Sequence, residues 1–425
     1  MTREEISWIL YDVANSAFVL IVVTAVMPIF FKDIAAVGLD PAVSTAHWGF
    51  ANSFASLLLA LLAPVLGSIA DYRFFKKRFL LAFFGLGVAA TLMLTTIQPG
   101  DWRLCLAIFV LAKVGYAGAN LFYDAFLVDV APPERMDWVS AMGYAAGYIG
   151  SVVPFLWVLH LISRASAATP GAALPEGAAR LGFAGVAVWW LIFTIPLALF
   201  LRQKHFLPSS RRPVVDSFRR LWRTLGEIRR YRNVFLFLVA YFFYIDGVDT
   251  IIVMATAYGR DIGLGVDVLI LAILTIQLVA FPFTLLYGRL ARAFPGKTML
   301  YVGIGVYMAI VLLAFFLPDA GSMRAKTILF WVLAVLVATS MGGIQALSRS
   351  YFGRLIPAQR SAAFFGFYNI FGKFAAIVGP FMMGAVSRAS GSSRFGVLSI
   401  LVLFVIGGIV LKRVQTDTLR EEAAA

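Results

Sequence analysis

The sequence predicts an all-α membrane protein of twelve transmembrane helices, divided into two six-helix halves. Three observations predict it: an apolar excess, twelve apolar runs of bilayer length, and basic residues gathered at the ends of those runs. Of 425 residues, 61% are apolar and 14% charged. Soluble domains carry roughly a quarter charged residues, so a water-soluble chain of this length has too little polar surface to cover its apolar side chains. Hydrocarbon solvates them directly.

A bilayer core about 30 Å thick takes roughly 20 apolar residues at 1.5 Å each. Such segments lie near 6–31, 48–70, 79–97, 103–129, 138–162 and 182–201, and then near 234–258, 266–288, 298–317, 326–349, 361–387 and 394–412. The only long polar connection, 202–233, separates the sixth from the seventh. The expected organisation is an N-terminal bundle over 1–201, the basic connection over 202–233, a C-terminal bundle over 234–415 and a tail over 416–425. Within the connection Phe218, Leu221, Trp222, Leu225 and Ile228 recur at helical spacing among arginines, the pattern of an amphipathic helix on a membrane surface. An orientation signal and tether is one role for it, and a response to anionic lipid the other. The first apolar run is too long for a cleaved signal and carries Asp12, so it reads as a retained span.

The net charge of +14 does not form the stripe that nucleic acid requires, because the basic residues sit at span ends. Cytoplasmic loops carry the excess of Lys and Arg. Arg73, Lys76, Lys77, Arg78, Arg135, Arg289, Arg292, Lys297, Arg349, Arg354 and Arg360 fall on one side together with the connection, which places both termini in the cytoplasm. A monomer in the lipid bilayer of a bacterial inner membrane is the expected setting. Cys105 is the only cysteine, so no internal disulfide is possible, and His47, His160 and His205 are scattered. No metal cluster or cofactor is expected from such residues. The chain lacks a Gly-x-x-x-x-Gly-Lys-Ser/Thr phosphate loop and any nucleophile–base arrangement, so neither direct ATP coupling nor enzymatic chemistry is expected.

A shift of 225 residues superposes Gly118 on Gly343, Asn120 on Gln345, Pro132 on Pro357, Glu134 on Gln359, Arg135 on Arg360 and Gly147 on Gly372. A second echo joins Gly67, ahead of Asp71 and a basic run, to Gly288, ahead of Arg292 and Lys297. Parallel repeats about an axis along the membrane normal place a solute site between the halves near the midplane.

Four stretches carry a more specific likeness: Trp8 to Phe18 with Tyr11-Asp12 and Asn15-Ser16, Leu238 to Gly247 with Tyr241, Tyr244 and Asp246, Gly342 to Ser350 with Gln345 and Arg349, and Phe364 to Lys373 with Tyr368-Asn369, running on to Gly379-Pro380. Together they resemble the autophagy-related vacuolar effluxer family of the major facilitator superfamily. The resemblance implies a twelve-span major facilitator fold working by alternating access. It also associates the fungal members with amino-acid export from the vacuole. The superfamily's loop motif after the second span is matched by Gly67, Asp71, Lys76 and Lys77, but Tyr72 replaces its arginine and Phe74 its second glycine. In the second half Arg292 takes the acidic position.

Ionisable residues inside spans are costly and mark ion or solute paths. Asp12, Lys113, Asp124, Asp246, Asp249 and Lys373 are of this kind. Asp246 and Lys373 both fall about 18 Å deep at 1.5 Å per residue, either as an ion pair bordering a cavity or as a fixed pair orienting two helices. Asp12 and Asp124, at roughly 8–9 Å depth by the same rise, are proton-coupling candidates together with Asp246 and Asp249. Asp12 is alternatively a local structural hydrogen-bonder. Lys113 lies deeper, at roughly 24 Å, either binding a carboxylate in the cavity or snorkelling outward. Asn15, Asn120, Gln345 and Asn369 suit recognition of amino or carboxylate groups and equally suit helix–helix hydrogen bonding. Tyr368 joins them as a solute-contact candidate, although Tyr11, Tyr123, Tyr244 and Tyr368 also suit bundle filling. Asp71 is expected to meet the N-terminus of span 11 near Ser361, where the helix dipole favours a carboxylate. Arg73, Lys76 and Lys77 share that gating loop.

The reading is a secondary transporter for a small polar or zwitterionic solute, an amino acid being the leading class, with proton coupling as one option. The alternatives are an exporter of amphipathic compounds or lipids, and a non-transporting receptor or assembly factor.

Overall fold

The computed structural model describes residues 1–168, 174–208, 231–261, 263–264 and 266–415. The amphipathic stretch around Trp222 and the tail over 416–425 lie outside the described residues. So does the side chain of Lys373, whose backbone is helical.

Among the described residues, twelve helices are long and apolar enough to cross a membrane: α1 Arg3–Ala35, α2 Val43–Ala70, α3 Phe75–Thr96, α4 Trp102–Val130, α5 Met136–Ser166, α6 Glu176–Phe200, α7 Arg232–Ala255, α8 Leu271–Ala293, α9 Gly296–Asp319, α10 Met323–Leu355, α11 Ala358–Ser390 and α12 Ser393–Lys412. Several overrun the apolar runs. The tenth apolar run, for instance, ends near 349, but α10 continues to Leu355. Hydropathy registers the part of a helix in hydrocarbon, whereas the hydrogen-bond ladder continues through polar residues until a cap or proline stops it.

Local chemistry explains the ends and irregularities. α1 starts on a reciprocal cap: the Glu5 amide donates to Thr2 Oγ1 (3.1 Å) and the Thr2 amide to Glu5 Oε2 (2.8 Å). Its middle widens into π turns over Phe18–Val26 and Phe31–Ala35. Pro28 sits between them; it offers no N–H to the carbonyl one turn back and its ring crowds that carbonyl, which loosens the ladder nearby.

The described residues form two compact units. The first comprises Met1–Val130, Ala146–Ser217 and Gln359–Gly366; the second comprises Ala131–Ala145, Phe218–Ala358 and Phe367–Ala425. In the first unit α3 packs along α4, α1 along α6 and α2 against α4. In the second, α9 packs along α10, α7 along α12 and α8 against α10. The same pairings recur six helices later, so the two halves are built alike. Among the described residues, Tyr72 and Leu207 form a lone parallel β-bridge, and no longer strand occurs.

Candidate functional site

The first unit contains a densely bonded polar cluster where α2 ends. Gly67 lets the first turn of α11 approach the α2 backbone: a Cβ there would lie within 3.0 Å of both the carbonyl carbon and oxygen of Ala362. One turn later Asp71 receives the Ala362 amide on Oδ1 (2.8 Å) and the Ala363 amide on Oδ2 (3.2 Å). These are N–H groups of a helix's first turn, which have no partner inside the helix and sit at the positive end of its dipole. Burial pushes the Asp71 carboxyl up from the ordinary carboxylate range to about 7, against the opposing pull of Lys76, the two amides and Arg360.

Lys76 is fully buried. Its Nζ lies 2.7 Å from Asp129 Oδ2 and 2.7 Å from Ser361 Oγ, and neither the Lys76 nor the Asp129 side chain is exposed. The other Asp129 oxygen accepts the amides of Lys204 (2.8 Å) and His205 (2.7 Å), with His205 Nδ1 at 3.2 Å. The segment after α6 is therefore strapped over the loop. Gln203 donates to the carbonyls of Ala70 and Tyr72, the Leu207 amide to the carbonyl of Asp71 (2.8 Å), and Lys77 Nζ to the carbonyl of Leu201 (2.8 Å) at the end of α6. Arg73 is exposed and lies over the rings of Phe74 and Phe206. Phe74 has φ 73°. That left-handed conformation explains why the superfamily motif has glycine here.

Deeper in the first unit, polar side chains join α1 to α4. Tyr123 Oη donates to Asp12 Oδ2 (2.6 Å), Trp8 Nε1 donates to the Tyr123 carbonyl (2.9 Å) and stacks on its ring (4.4 Å), and Asn15 Nδ2 donates to Asn120 Oδ1 (3.0 Å). Asp12 thus bonds across helices. Lys113 is half-buried and reaches α2, where Asn52 offers Oδ1 at 2.8 Å and its carbonyl at 3.3 Å. Asp124 is half-buried, and it and Asp12 both act electrostatically on Tyr11.

In the second unit Asp246 is fully buried. Its Oδ1 accepts the Gly379 amide (2.9 Å) and the Thr250 hydroxyl (3.4 Å), while Oδ2 has no hydrogen-bond partner among the described residues. Gly379 is required by the close approach of α7 and α11, because a Cβ would fall 1.9 Å from Thr250 Oγ1 and 2.7 Å from Asp246 Oδ1. Tyr368 stacks on Tyr241 (4.2 Å) and Phe352 (4.9 Å), and Tyr244 Oη lies 2.7 Å from Ser348 Oγ. Tyr368 and Tyr244 are core members. Asp249, Gln345 and Asn369 are half-buried.

The second unit has a polar cluster of its own, on the first turn of α5. Asp137 pairs with Arg354 Nη1 (2.8 Å) and accepts the Ser350 hydroxyl. Arg349, almost fully buried, holds Ser140 through Oγ (3.0 Å) and carbonyl (3.1 Å) and lies over Tyr144. Arg292 lies over the Trp138 ring (4.7 Å). Shifting by 225 residues sets Arg354 on Asp129, and the second echo sets Arg292 on Asp71. Both clusters pin the start of a helix, with charges of opposite sign.

The sequence argument set Asp71 beside the start of α11 near Ser361 and Lys76 in the same loop, but it did not single out Asp129 as the partner of Lys76 or Asp137 as the partner of Arg354. The available signal was the pair of opposite charges at repeat-related positions, Asp129 and Arg354. Among the described residues no group of His, Cys, Asp and Glu is arranged to hold a metal ion.

The family model described as "Vacuole effluxer Atg22 like" matches residues 42–134 and 129–424. The chain is 48% identical over 418 residues to the uncharacterized MFS-type transporter YxiO of Bacillus subtilis (strain 168), covering 98% of this chain and 96% of that one. Autophagy-related protein 22 of Coccidioides immitis (strain RS) is 24% identical, over 87% of this chain and 72% of its own. Among solved structures, the proton:xylose symporter XylE aligns with a TM-score of 0.70 at 14% identity over 97% of this chain and 95% of its own. A bacterial homologue of the iron transporter ferroportin in its outward-facing state aligns with the same TM-score and identity over 97% and 98%. These relatives and this fold are those of transporters, not enzymes, and they establish an integral multi-pass membrane protein. With twelve apolar helices in two like halves and a family match across most of its length, the chain belongs to the Atg22-like vacuole effluxer family of the major facilitator superfamily.

Proposed function

We propose that this transporter moves a small zwitterionic solute of the amino-acid class in exchange for, or together with, protons, acting as a monomer with both termini in the cytoplasm. The observation that carries the proton proposal is Asp246: one oxygen takes two hydrogen bonds and the other, fully enclosed, takes none among the described residues. An ionised carboxylate with a dry, unbonded oxygen is costly, and a proton removes that cost. Asp12, held by Tyr123, is the corresponding carboxylate of the first half, with Asp124 and Asp249 as secondary carriers. Lys373, about 9 Å before Gly379 along α11 at 1.5 Å per residue, supplies the positive charge for the solute's carboxylate in this proposal. Asn15, Asn120, Gln345, Tyr368, Asn369 and Lys113 complete the polar surroundings.

Asp71, Lys76, Arg73 and Lys77 form the latch on the cytoplasmic side in this reading. Support comes from the two amides of α11 that Asp71 receives, a contact that must break if α11 is to move.

The test is a thermal-shift screen of the purified chain with the twenty amino acids, followed by flux into proteoliposomes with and without a pH gradient. The expected result is stabilisation by a subset of amino acids and gradient-dependent flux of that subset. Asp246→Asn should keep ligand stabilisation while losing the pH dependence. If no amino acid shifts melting and none is moved, the substrate proposal fails. If Asp246→Asn transports with unchanged pH dependence, the coupling proposal fails.

A further inference from the structure

The repeat sets Lys297 on Lys76, yet the two lysines do different work. Lys76 is buried in the first-unit cluster. Lys297, at the start of α9, donates to the carbonyls of Lys412 (3.1 Å) and Val414 (2.7 Å) and closes the C-terminal end of α12. An ammonium has three donors, and these carbonyls use two. In the second unit the charge that pins α5 comes from Arg354 and Arg349, which leaves Lys297 free of that task.

Lys297 and the exposed Lys412 stand at one end of an open groove of about 530 Å³ between α9 and α12. Beyond the lysines the lining is apolar, with Ile304, Met308, Phe404 and Ile409 along the walls. Gly305 and Gly408 leave its middle open: a Cβ added at Gly305 would meet nothing within 4 Å, and one at Gly408 only the Tyr301 ring at 3.9 Å. Tyr301 donates its hydroxyl to the Gly408 carbonyl (2.9 Å), so that ring offers the groove no hydrogen-bond donor. From Lys297 to Met308 the groove runs about 16 Å at 1.5 Å per residue.

We propose that this α9–α12 groove binds an anionic phospholipid, with one acyl chain along the glycine-floored channel and the phosphate between Lys297 and Lys412. An acyl chain is already solvated in hydrocarbon, so the channel supplies fit and the lysines supply choice. Cationic side chains at the end of a groove between transmembrane helices attract acidic head groups in the low dielectric of the interface. A zwitterionic lipid fits the channel equally well but brings a cation to the lysines.

The full chain, purified in detergent, is titrated with phosphatidylglycerol and with phosphatidylcholine of identical acyl chains, binding being read by native mass spectrometry and thermal shift. Glycerol 3-phosphate and inorganic phosphate serve as chain-free probes. The expected result is about ten-fold tighter binding of phosphatidylglycerol and no shift from either chain-free probe. Lys412→Gln should erase most of that preference. Gly305→Phe, built into open space, should weaken both lipids. Lys297→Gln also removes the closure of α12, so Lys412→Gln and Gly305→Phe are the deciding variants. Equal binding of the two lipids by the unaltered chain, an unchanged preference in Lys412→Gln, unchanged affinity in Gly305→Phe, or a full shift from phosphate alone would each overturn the proposal.

Discussion

Lys76 and Asp129 form an ion pair at 2.7 Å from which solvent is excluded on both sides, and Ser361 of α11 takes a second hydrogen bond from the lysine. The pair joins α3 to the end of α4, and through Asp129 it also holds the backbone of the segment after α6. Removing one member strands a charge in a dry site, which costs about 3–5 kcal/mol, whereas replacing both with apolar residues of like volume is often neutral. Lys76→Met and Asp129→Leu are each expected to lower the melting temperature sharply, and the double variant should recover most of the loss. A double variant no more stable than the singles would show that the pair's hydrogen bonds to Ser361 and the strap, rather than its charges, hold the site.

Asp71 should make stability pH-dependent. Its carboxyl is raised from the ordinary value of 3.8 to about 7 by burial, so the native state binds more protons than the unfolded chain between those values. Its contribution is fully present below about pH 4 and is lost as pH rises through about 7. Lys76 and Arg360 are the charges that oppose this rise, and the comparison with Asp71→Asn isolates the part of the slope that belongs to Asp71. Melting in detergent from pH 5 to pH 8 should fall for the unaltered chain and fall less for Asp71→Asn. Parallel curves for the two proteins would refute this assignment.

Gly379→Ala is expected to destabilise by about 1–3 kcal/mol, the usual cost of overpacking, because the added methyl enters the space of Thr250 and Asp246. Gly384→Ala, five residues on in the same helix and facing open space, should be silent. Equal melting temperatures for the two variants would mean that α7 and α11 separate at little cost.

Phe74 occupies a left-handed conformation that costs non-glycine residues roughly 1–2 kcal/mol. Phe74→Gly should therefore match or exceed the parent in stability despite losing the ring under Arg73, while the β-branched Phe74→Val should melt lower. A clear loss in the glycine variant would assign the ring a larger packing role than its exposure suggests.

Much of the fold was legible because hydrocarbon imposes a length: an α-helix in lipid must be apolar for about 20 residues, and each of the twelve runs is. Asp71 was legible because a carboxylate at the foot of a span has one favourable neighbour, the positive start of another helix. The side-chain pairs of the two polar clusters were not. Asp129 lies 53 residues beyond Lys76 and Asp137 lies 213 residues before Ser350, and no periodicity links such positions. The paired depths of Asp246 and Lys373 illustrate the same limit. Helical rise gives a height within the bilayer but no azimuth; among the described residues Asp246 accepts the Gly379 amide and the Thr250 hydroxyl, and the Lys373 side chain lies outside them.

The two helix-pinning clusters have a consequence for how such a chain can change. Asp71 addresses its helix directly, whereas the second cluster sets cations at a helix start that repels them, Arg354 accommodated through Asp137 and Arg292 over the Trp138 ring. Once sister segments of a duplicated gene acquire complementary polarity, neither can be overwritten by a copy of the other. Recombination that pasted the 67–78 stretch over its counterpart near 288 would put a carboxylate where the Arg292 guanidinium now lies over the Trp138 ring, one residue along from Asp137. Divergence of the halves is thus locked in, and a designer seeking a symmetric version would have to rewrite both loops and both helix starts at once.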